Sequence, residues 1–150
     1  MTDLQTKFAE EAIIWADKKV PFLHRGETEK GCDCTGMLIG ILSKFGKLKS
    51  YKRVKYKFDW NLHAGATDII TKELLRIGDF VESEKEPGDI LLFRFGKCNS
   101  HIGIFIKGNK FVHAAGGSGG FCRYGILKNS QWSKRLVGVI RLNEEKISKL

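Results

Sequence analysis

The sequence predicts an α+β fold, because its hydrophobic period changes once along the chain. Up to Leu75 the apolar residues recur at helical spacing. From Ile90 onward they fall into short, β-branched and aromatic runs separated by Gly, Pro and Asn turns. Helices first and antiparallel strands afterwards describe N-terminal helices packed on an antiparallel sheet. With 150 residues the chain can bury one two-layer core, so a single domain over 1–150 is expected, without disulfide or metal staples.

Each element has its own signal. Thr2-Asp3-Leu4-Gln5 reads as a capping box, and Leu4, Phe8, Ala12 and Trp15 line one face of a first helix that Val20-Pro21-Phe22 ends. A turn-rich loop from Arg25 to Gly31 leads into Gly31-Cys32-Asp33-Cys34-Thr35-Gly36. From Cys34, residues Met37, Leu38, Ile41, Leu42 and Phe45 recur at helical spacing, with Asp33 as N-cap and Gly46 as stop. Lys47 to Ala66 is irregular, with Phe58, Trp60 and Leu62 alternating, and Thr67 to Ile77 is a third helix stopped by Gly78. Pro87-Gly88-Asp89 turns into a strand, Ile90 to Phe95. His101 to Ile106 and Phe111 to Ala114 form a hairpin around Lys107-Gly108-Asn109. After the loop Gly116 to Gly120, Cys122 to Ile126 is a short strand and Leu136 to Leu142 the last one, with Ile147 to Leu150 a loose tail.

The balance of 26 basic against 17 acidic residues gives a net charge of +9 and points to an anionic partner. Nucleic acid, phospholipid head groups and the carboxylate- and phosphate-rich bacterial wall all qualify. The lysines are spread along the chain, and the densest run, Lys47 to Lys57, reads as a solvated face interleaved with Tyr51, Val54 and Tyr56. A nucleic-acid partner is therefore not expected. No window approaches a membrane span. Met1 to Ala16, broken by Asp3, Lys7, Glu10 and Glu11, does not read as a signal peptide, which predicts synthesis in the cytoplasm. Four cysteines without such a signal argue against a disulfide framework.

Chemistry concentrates on three residues. Asp33 as N-cap puts the Cys34 sulfur in the first helical turn, where amide N–H groups and the helix dipole favour the nucleophilic thiolate. A thiol hydrolase also needs a general base and a third group that orients it. His101 and His113 can supply both if they face the Cys34 helix. They are twelve residues apart, so the hairpin loop decides. A two-residue loop puts the rings on opposite faces, and an odd count or one bulge puts them on the same face. A five-residue loop, Ile106 to Lys110, sets His113 opposite Gly103 and diagonal to His101, roughly 7 Å away, with Gly103 leaving the space open. His24 and His63 read as surface or loop-packing residues, and Trp15, Trp60 and Trp132 as core or groove wall. Zinc is the competing reading, with Cys32 and Cys34, Cys98 and His101, and then His113 and Cys122 as ligands. A C-x-C pair at a helix start is cramped for a zinc knuckle, so neither metal nor cofactor is expected.

Over nearly its whole length the chain resembles the NlpC-type cell-wall cysteine peptidases of the papain-like superfamily. The residues that carry the likeness are Pro21-Phe22-Leu23-His24-Arg25-Gly26, then Asp33-Cys34-Thr35-Gly36 in the place of D-C-S-G, and Pro87-Gly88-Asp89-Ile90-Leu91-Leu92-Phe93 for P-G-D-L. Ser100-His101-Ile102-Gly103-Ile104-Phe105 stands for H-V-G-I-Y and Phe111-Val112-His113-Ala114 for F-I-H-A. Each piece is weak alone; together and in order they are specific. Phe58-Asp59-Trp60, Leu91-Leu92-Phe93-Arg94 and Trp132-Ser133-Lys134-Arg135-Leu136 are similar to the bacteriophage and gene-transfer-agent branch of these peptidases.

The resemblance implies a papain-like NlpC-type fold with Cys34 as nucleophile, His101 as base and His113 as orienting partner. The Cys34 N–H, Asp33, Phe22 and Gly103 are expected around the oxyanion and substrate. The implied reaction is hydrolysis of amide bonds in peptidoglycan stem peptides, often γ-D-glutamyl to diaminopimelate or lysine, through a thioester. The implied partners are peptidoglycan and phage tail or tail-tip proteins, with the protein associated with a virion or tail particle at the cell wall. Two other readings stay open: a structural tail-assembly module with a vestigial triad, and a thiol amidase or acyltransferase on a non-wall substrate. One departure stands out. Many members carry a tyrosine near the nucleophile where this chain has Phe22, so a hydroxyl that could position substrate or bind the oxyanion is absent. Cys32 is an unusual neighbour for a nucleophile, either inert packing or half of a strained bridge to Cys34.

Overall fold

Thr2 opens α1 (Asp3–Asp17) as the sequence predicts: its hydroxyl oxygen accepts the Gln5 N–H at 3.1 Å. The box is only half closed, because the Gln5 side chain turns away and Nε2 donates to Asp89 Oδ1 at 2.6 Å. The computed structural model describes residues 2–49, 51, 69–96, 98–116, 119–128 and 130–150. The readings for Phe58-Asp59-Trp60, Leu62, His63, Thr67 and most of the basic run from Lys47 to Lys57 lie outside the described residues, as does the side chain of Cys98.

Leu4, Phe8, Ala12 and Trp15 are all buried, so the predicted stripe is the face that α1 gives to the core. The turn-rich loop contains a minimal antiparallel hairpin, β1 (Glu27–Thr28) and β2 (Gly31–Cys32), which delivers the chain to α2 (Cys34–Lys44). Just beyond α2, Gly46 takes φ +75°, the left-handed conformation that ends a helix. α3 (Ile69–Leu74) buries Ile70 and Leu74.

The main sheet is built from β3 (Gly78–Phe80), β4 (Ile90–Phe95), β5 (Cys98–Lys107), β6 (Lys110–Ala114), β7 (Cys122–Ile126) and β8 (Leu136–Leu142). Their order is β3-β8-β4-β5-β6-β7, with every neighbouring pair antiparallel. The period-2 alternation splits their side chains into two cores. Ile90, Leu92, Ile102, Ile104, Val112, Ala114 and Ile140 join α1 and α2 on one side. Leu91, Phe93, Phe105, Phe111 and Leu127 form the second core, which Trp132 on α4 (Gln131–Arg135) helps to cover. This is the predicted α+β arrangement of helices on an antiparallel sheet.

Asp89 ties the layers together. It is fully buried, and besides Gln5 its carboxylate takes the Arg141 guanidinium at 2.9 and 2.8 Å and the Glu86 N–H at 2.8 Å, so the buried charge is paired and hydrogen-bonded.

Three elements differ from the sequence prediction. Gly78 does not simply stop a helix; it opens β3 and pairs with Leu142. α4 occupies the stretch before the last strand. The expected loose tail contains α5 (Glu144–Ser148), capped by Asn143 Oδ1 accepting the Lys146 N–H at 3.1 Å and anchored by buried Ile147. Among the described residues no helix is long and apolar enough to cross a membrane.

Candidate active site

Asp33 fixes the start of α2 from two sides. Its Oδ1 accepts the Gly36 N–H at 2.7 Å, and its Oδ2 accepts the Arg25 N–H at 2.8 Å. The loop carrying Arg25 is thereby pressed onto the helix, and a Cβ on Gly36 would lie 1.7 Å from the Gly26 carbonyl oxygen. Cys34, the first residue of α2, is 8% exposed, and its thiol points to the Ser100 carbonyl oxygen at 3.8 Å. Ser100 immediately precedes His101.

Two bulges aim the histidines. Phe93 pairs with His101 but Arg94 pairs with Asn99, which leaves Ser100 as the extra residue on β5. At the other end, the turn is the two residues Gly108 and Asn109, with Gly108 at φ +58°. Lys107 pairs with Lys110 and Phe105 with Phe111, so Ile106 is the extra residue there. The predicted five-residue loop is therefore a two-residue turn plus one bulge. That single bulge keeps the two imidazoles on one face. Extending the pairing of Ile104 with Val112 by one position sets Gly103 beside His113. His101 Nε2 and His113 Nδ1 are 3.0 Å apart, with the rings nearly perpendicular at 89°.

The face they share is not the one against which the body of α2 packs. Both rings stand on the side of Phe93, Phe111 and Trp132, because the odd-numbered residues of β5 and β6 point there and Ile102, Ile104 and Val112 point to α2. The Cys34 sulfur comes to β5 at its bulged beginning and not across its middle. Gly103 also differs from its sequence reading. The room it leaves is filled by Phe111, whose ring would lie 2.6 Å from a Cβ at that position. Phe22 is half-buried on the approach to α2: it bridges to Cys32, its N–H donates to the Gly120 carbonyl at 2.8 Å, and its ring faces Gly116.

Burial, reinforced by the neighbouring His113, pushes His101 down to about 3. Burial first, then the Arg123 guanidinium directly opposite on β7, pushes His113 down to about 4. Both imidazoles are neutral at neutral pH. One proton is then shared across their contact, one ring donating and the other accepting.

The NlpC/P60 family model matches residues 19–141, which takes in the Asp33 cap, Cys34, both histidines and the strands that carry them. The chain belongs to the NlpC/P60 family. It is 28% identical over 134 residues to the murein DD-endopeptidase MepS/murein LD-carboxypeptidase of Escherichia coli strain K12, covering 89% of this chain and 60% of that protein. It is 25% identical to a probable endopeptidase of Haemophilus influenzae, covering 89% of this chain and 72% of the relative. The chain thus spans about three fifths of the length of the E. coli relative. Among solved structures, the NlpC/p60 domain of the peptidoglycan hydrolase SagA superposes with a TM-score of 0.60 at 17% identity, covering 92% of this chain and 98% of that one. A family protein from Bacillus cereus gives a TM-score of 0.65 at 16% identity, covering 92% and 40%. At such identities these two structures establish the shared fold.

Sequence reasoning placed Trp132 only as core or groove wall. In the structure its indole stacks on His101, with centroids 5.4 Å apart and 29° between planes, and meets His113 edge-on at 4.8 Å. The signal was the tryptophan's place just before the last strand, but spacing gives no hint of which rings it covers. Cys32 takes no part in a bridge to Cys34. Its sulfur lies 3.5 Å from that of Cys122, both fully buried, and the contact with Cys122 together with burial holds the Cys32 thiol well above its ordinary range. Those two sulfurs belong to the α1–α2 core, whereas the imidazoles pack in the second core, so Cys32 and Cys122 do not converge with His101 and His113. Among the described residues no group of three His, Cys, Asp or Glu side chains is disposed to hold a metal ion.

Proposed function

We propose that this protein is a cysteine peptidase that hydrolyses amide bonds in peptidoglycan stem peptides. The observation that carries the proposal is the meeting of a helix-start thiol with the beginning of the strand that bears His101, itself hydrogen-bonded to His113. The chain's likeness to a murein endopeptidase and to the domain of a peptidoglycan hydrolase supports the substrate class.

The geometry fits a thiol-hydrolase sequence. With Nε2 of His101 donating to His113 Nδ1, the lone pair of His101 Nδ1 is the one left for the thiol proton. Sγ, relieved of that proton, attacks the scissile carbonyl carbon. The resulting oxyanion meets the Cys34 N–H at the positive end of α2. His101 returns the proton to the leaving amine, and the C–N bond breaks to give a thioester. Water, deprotonated by His101, attacks the thioester and releases the carboxylate and the thiol. His113 stays neutral as acceptor throughout, in keeping with its lowered protonation.

The finer readings rest on resemblance. The γ-D-glutamyl bond to diaminopimelate or lysine is the proposed target, and the motifs Leu91-Leu92-Phe93-Arg94 and Trp132-Ser133-Lys134-Arg135-Leu136 support a place on a phage tail or gene-transfer particle. Purified protein incubated with peptidoglycan is expected to release stem peptides, identified by mass spectrometry, with the γ-D-glutamyl bond cut. Cys34→Ala should abolish release, and His101→Ala should lower it by about 10²-fold or more. Undiminished release by Cys34→Ala would remove Cys34 from the mechanism.

A further inference from the structure

We propose that Trp132 is a positioning residue for the paired imidazoles: its indole, carried on α4, closes an aromatic box over the His101–His113 hydrogen bond and keeps water from it. The proposal rests on the catalytic reading of the two histidines given above. The other walls come from the sheet. Phe93 and Phe95 of β4 lie 6.1 and 5.9 Å from the His101 ring, and Phe111 of β6 lies 5.1 Å from His113. Trp132 touches every member of this set: both imidazoles, Phe93 at 5.2 Å, Phe95 at 5.7 Å and Phe111 at 5.7 Å.

The lid is fastened at both ends. Ser130 Oγ accepts the Trp132 N–H at 3.1 Å while its one proton is shared between the carbonyls of Ile126 and Leu127 at 2.7 and 2.9 Å, which ties the start of α4 to the end of β7. At the other end the Arg135 guanidinium lies 4.4 Å over the Phe95 ring and reaches the Arg94 carbonyl at 3.4 Å. A residue that only filled volume would not need to lie within 29° of the plane of the His101 ring. Stacked so, the indole fixes the plane of that ring, and the hydrogen bond of Nε2 with His113 within that plane leaves Nδ1 for the thiol. Water admitted to the contact would offer Nε2 and Nδ1 competing partners and loosen the orientation.

The test reads the histidines directly, in the full chain. The groups near the pair are Arg123 on β7 opposite His113, Arg94 and Arg135 beside Phe95, and the Cys34 thiol at Ser100. All of them remain when Trp132 is changed. Two-dimensional NMR titration follows the four imidazoles. In the native protein two of them should stay neutral to about pH 5. Trp132→Ala should raise at least one of those midpoints toward the ordinary value by about one pH unit or more, and Trp132→Phe should restore it. Trp132→Thr, which keeps a side chain of some size but brings a hydroxyl and admits water, gives the same comparison where the alanine variant lacks a folded spectrum. Unmoved midpoints in folded Trp132→Ala or Trp132→Thr, even with a lower melting temperature, would reduce the tryptophan to packing and overturn the proposal. A shift of midpoints with no wall hydrolysis by the native protein upholds the box and instead refutes the peptidase reading.

Discussion

Asp33 does for the nucleophile what neither its neighbours nor the helix alone can do. One carboxylate oxygen caps α2 through Gly36 and the other holds the Arg25 N–H, so a single side chain sets both the helix that carries Cys34 and the loop that borders it. Asparagine has one acceptor oxygen, and its amide nitrogen would meet the second N–H donor to donor. Asp33→Ala should cost roughly 1–2 kcal/mol in chemical denaturation, the worth of a good N-cap. Asp33→Asn should fall between the two and slow the alkylation of Cys34. Equal stability of Asp33→Ala and the native chain would contradict this account of the cap. At this scale the sequence was informative where chemistry depends on local order: the cap at Asp33 and the thiol at Cys34 follow from spacing along one helix. It was silent on Trp132, whose importance lies in ring contacts with residues some twenty to forty positions away.

The β5–β6 hairpin is the element on which the site depends, and a glycine explains its inner face. Phe111 lies fully buried across the sheet between Gly103 on β5 and Gly125 on β7, with ring atoms where either glycine's Cβ would stand, at 2.6 and 2.4 Å. Its ring in turn supports His113. Gly103→Ala should force the Phe111 ring to shift and cost about 1–3 kcal/mol by overpacking. The shift should broaden or move the His113 resonances. A variant as stable as the native chain, with His113 unmoved, would show that the ring has room to spare. Elements with a long pattern were legible. Ile90 to Phe95, Cys122 to Ile126 and Leu136 to Leu142 have the bounds that alternation and flanking turns predict. The short ones were not. α4 and α5 have five residues each, too few for an apolar stripe to repeat, and three-residue β3 exists only through its pairing with distant β8. The bulge at Ser100 was invisible for the same reason, and the one at Ile106 entered only as the alternative to a loop of odd length: register is settled between strands, not along one.

For the molecule as a whole, burying two imidazoles in a chain of net charge +9 has a consequence for its behaviour in acid. Both His101 and His113 are lowered in the folded state, to about 3 and about 4, while in the unfolded chain they protonate near 6.5. Between those values the unfolded state binds protons that the native state refuses, so stability must fall as pH drops from about 6.5 toward 4. Above pH 7 neither state is protonated at these sites and they add no slope. Glu29 and Asp79 are also lowered, held by Lys18 and Lys44 and by Lys146 with Asn143. Their contribution is lost as pH falls through the ordinary carboxylate range and below it, at lower pH than the onset of the imidazole effect. The growing positive charge acts in the same direction, but it is screened by salt and the buried imidazoles are much less so. Denaturation midpoints measured at high ionic strength should therefore decline from pH 6.5 downward, by on the order of 1 kcal/mol of stability per pH unit for each buried imidazole. His113→Gln should make the slope shallower between pH 6 and about 4.5. A stability that is level across that interval in the native chain would mean that the pair is open to water, and the neutral His101–His113 contact on which the thiol's proton transfer depends would lose its physical basis.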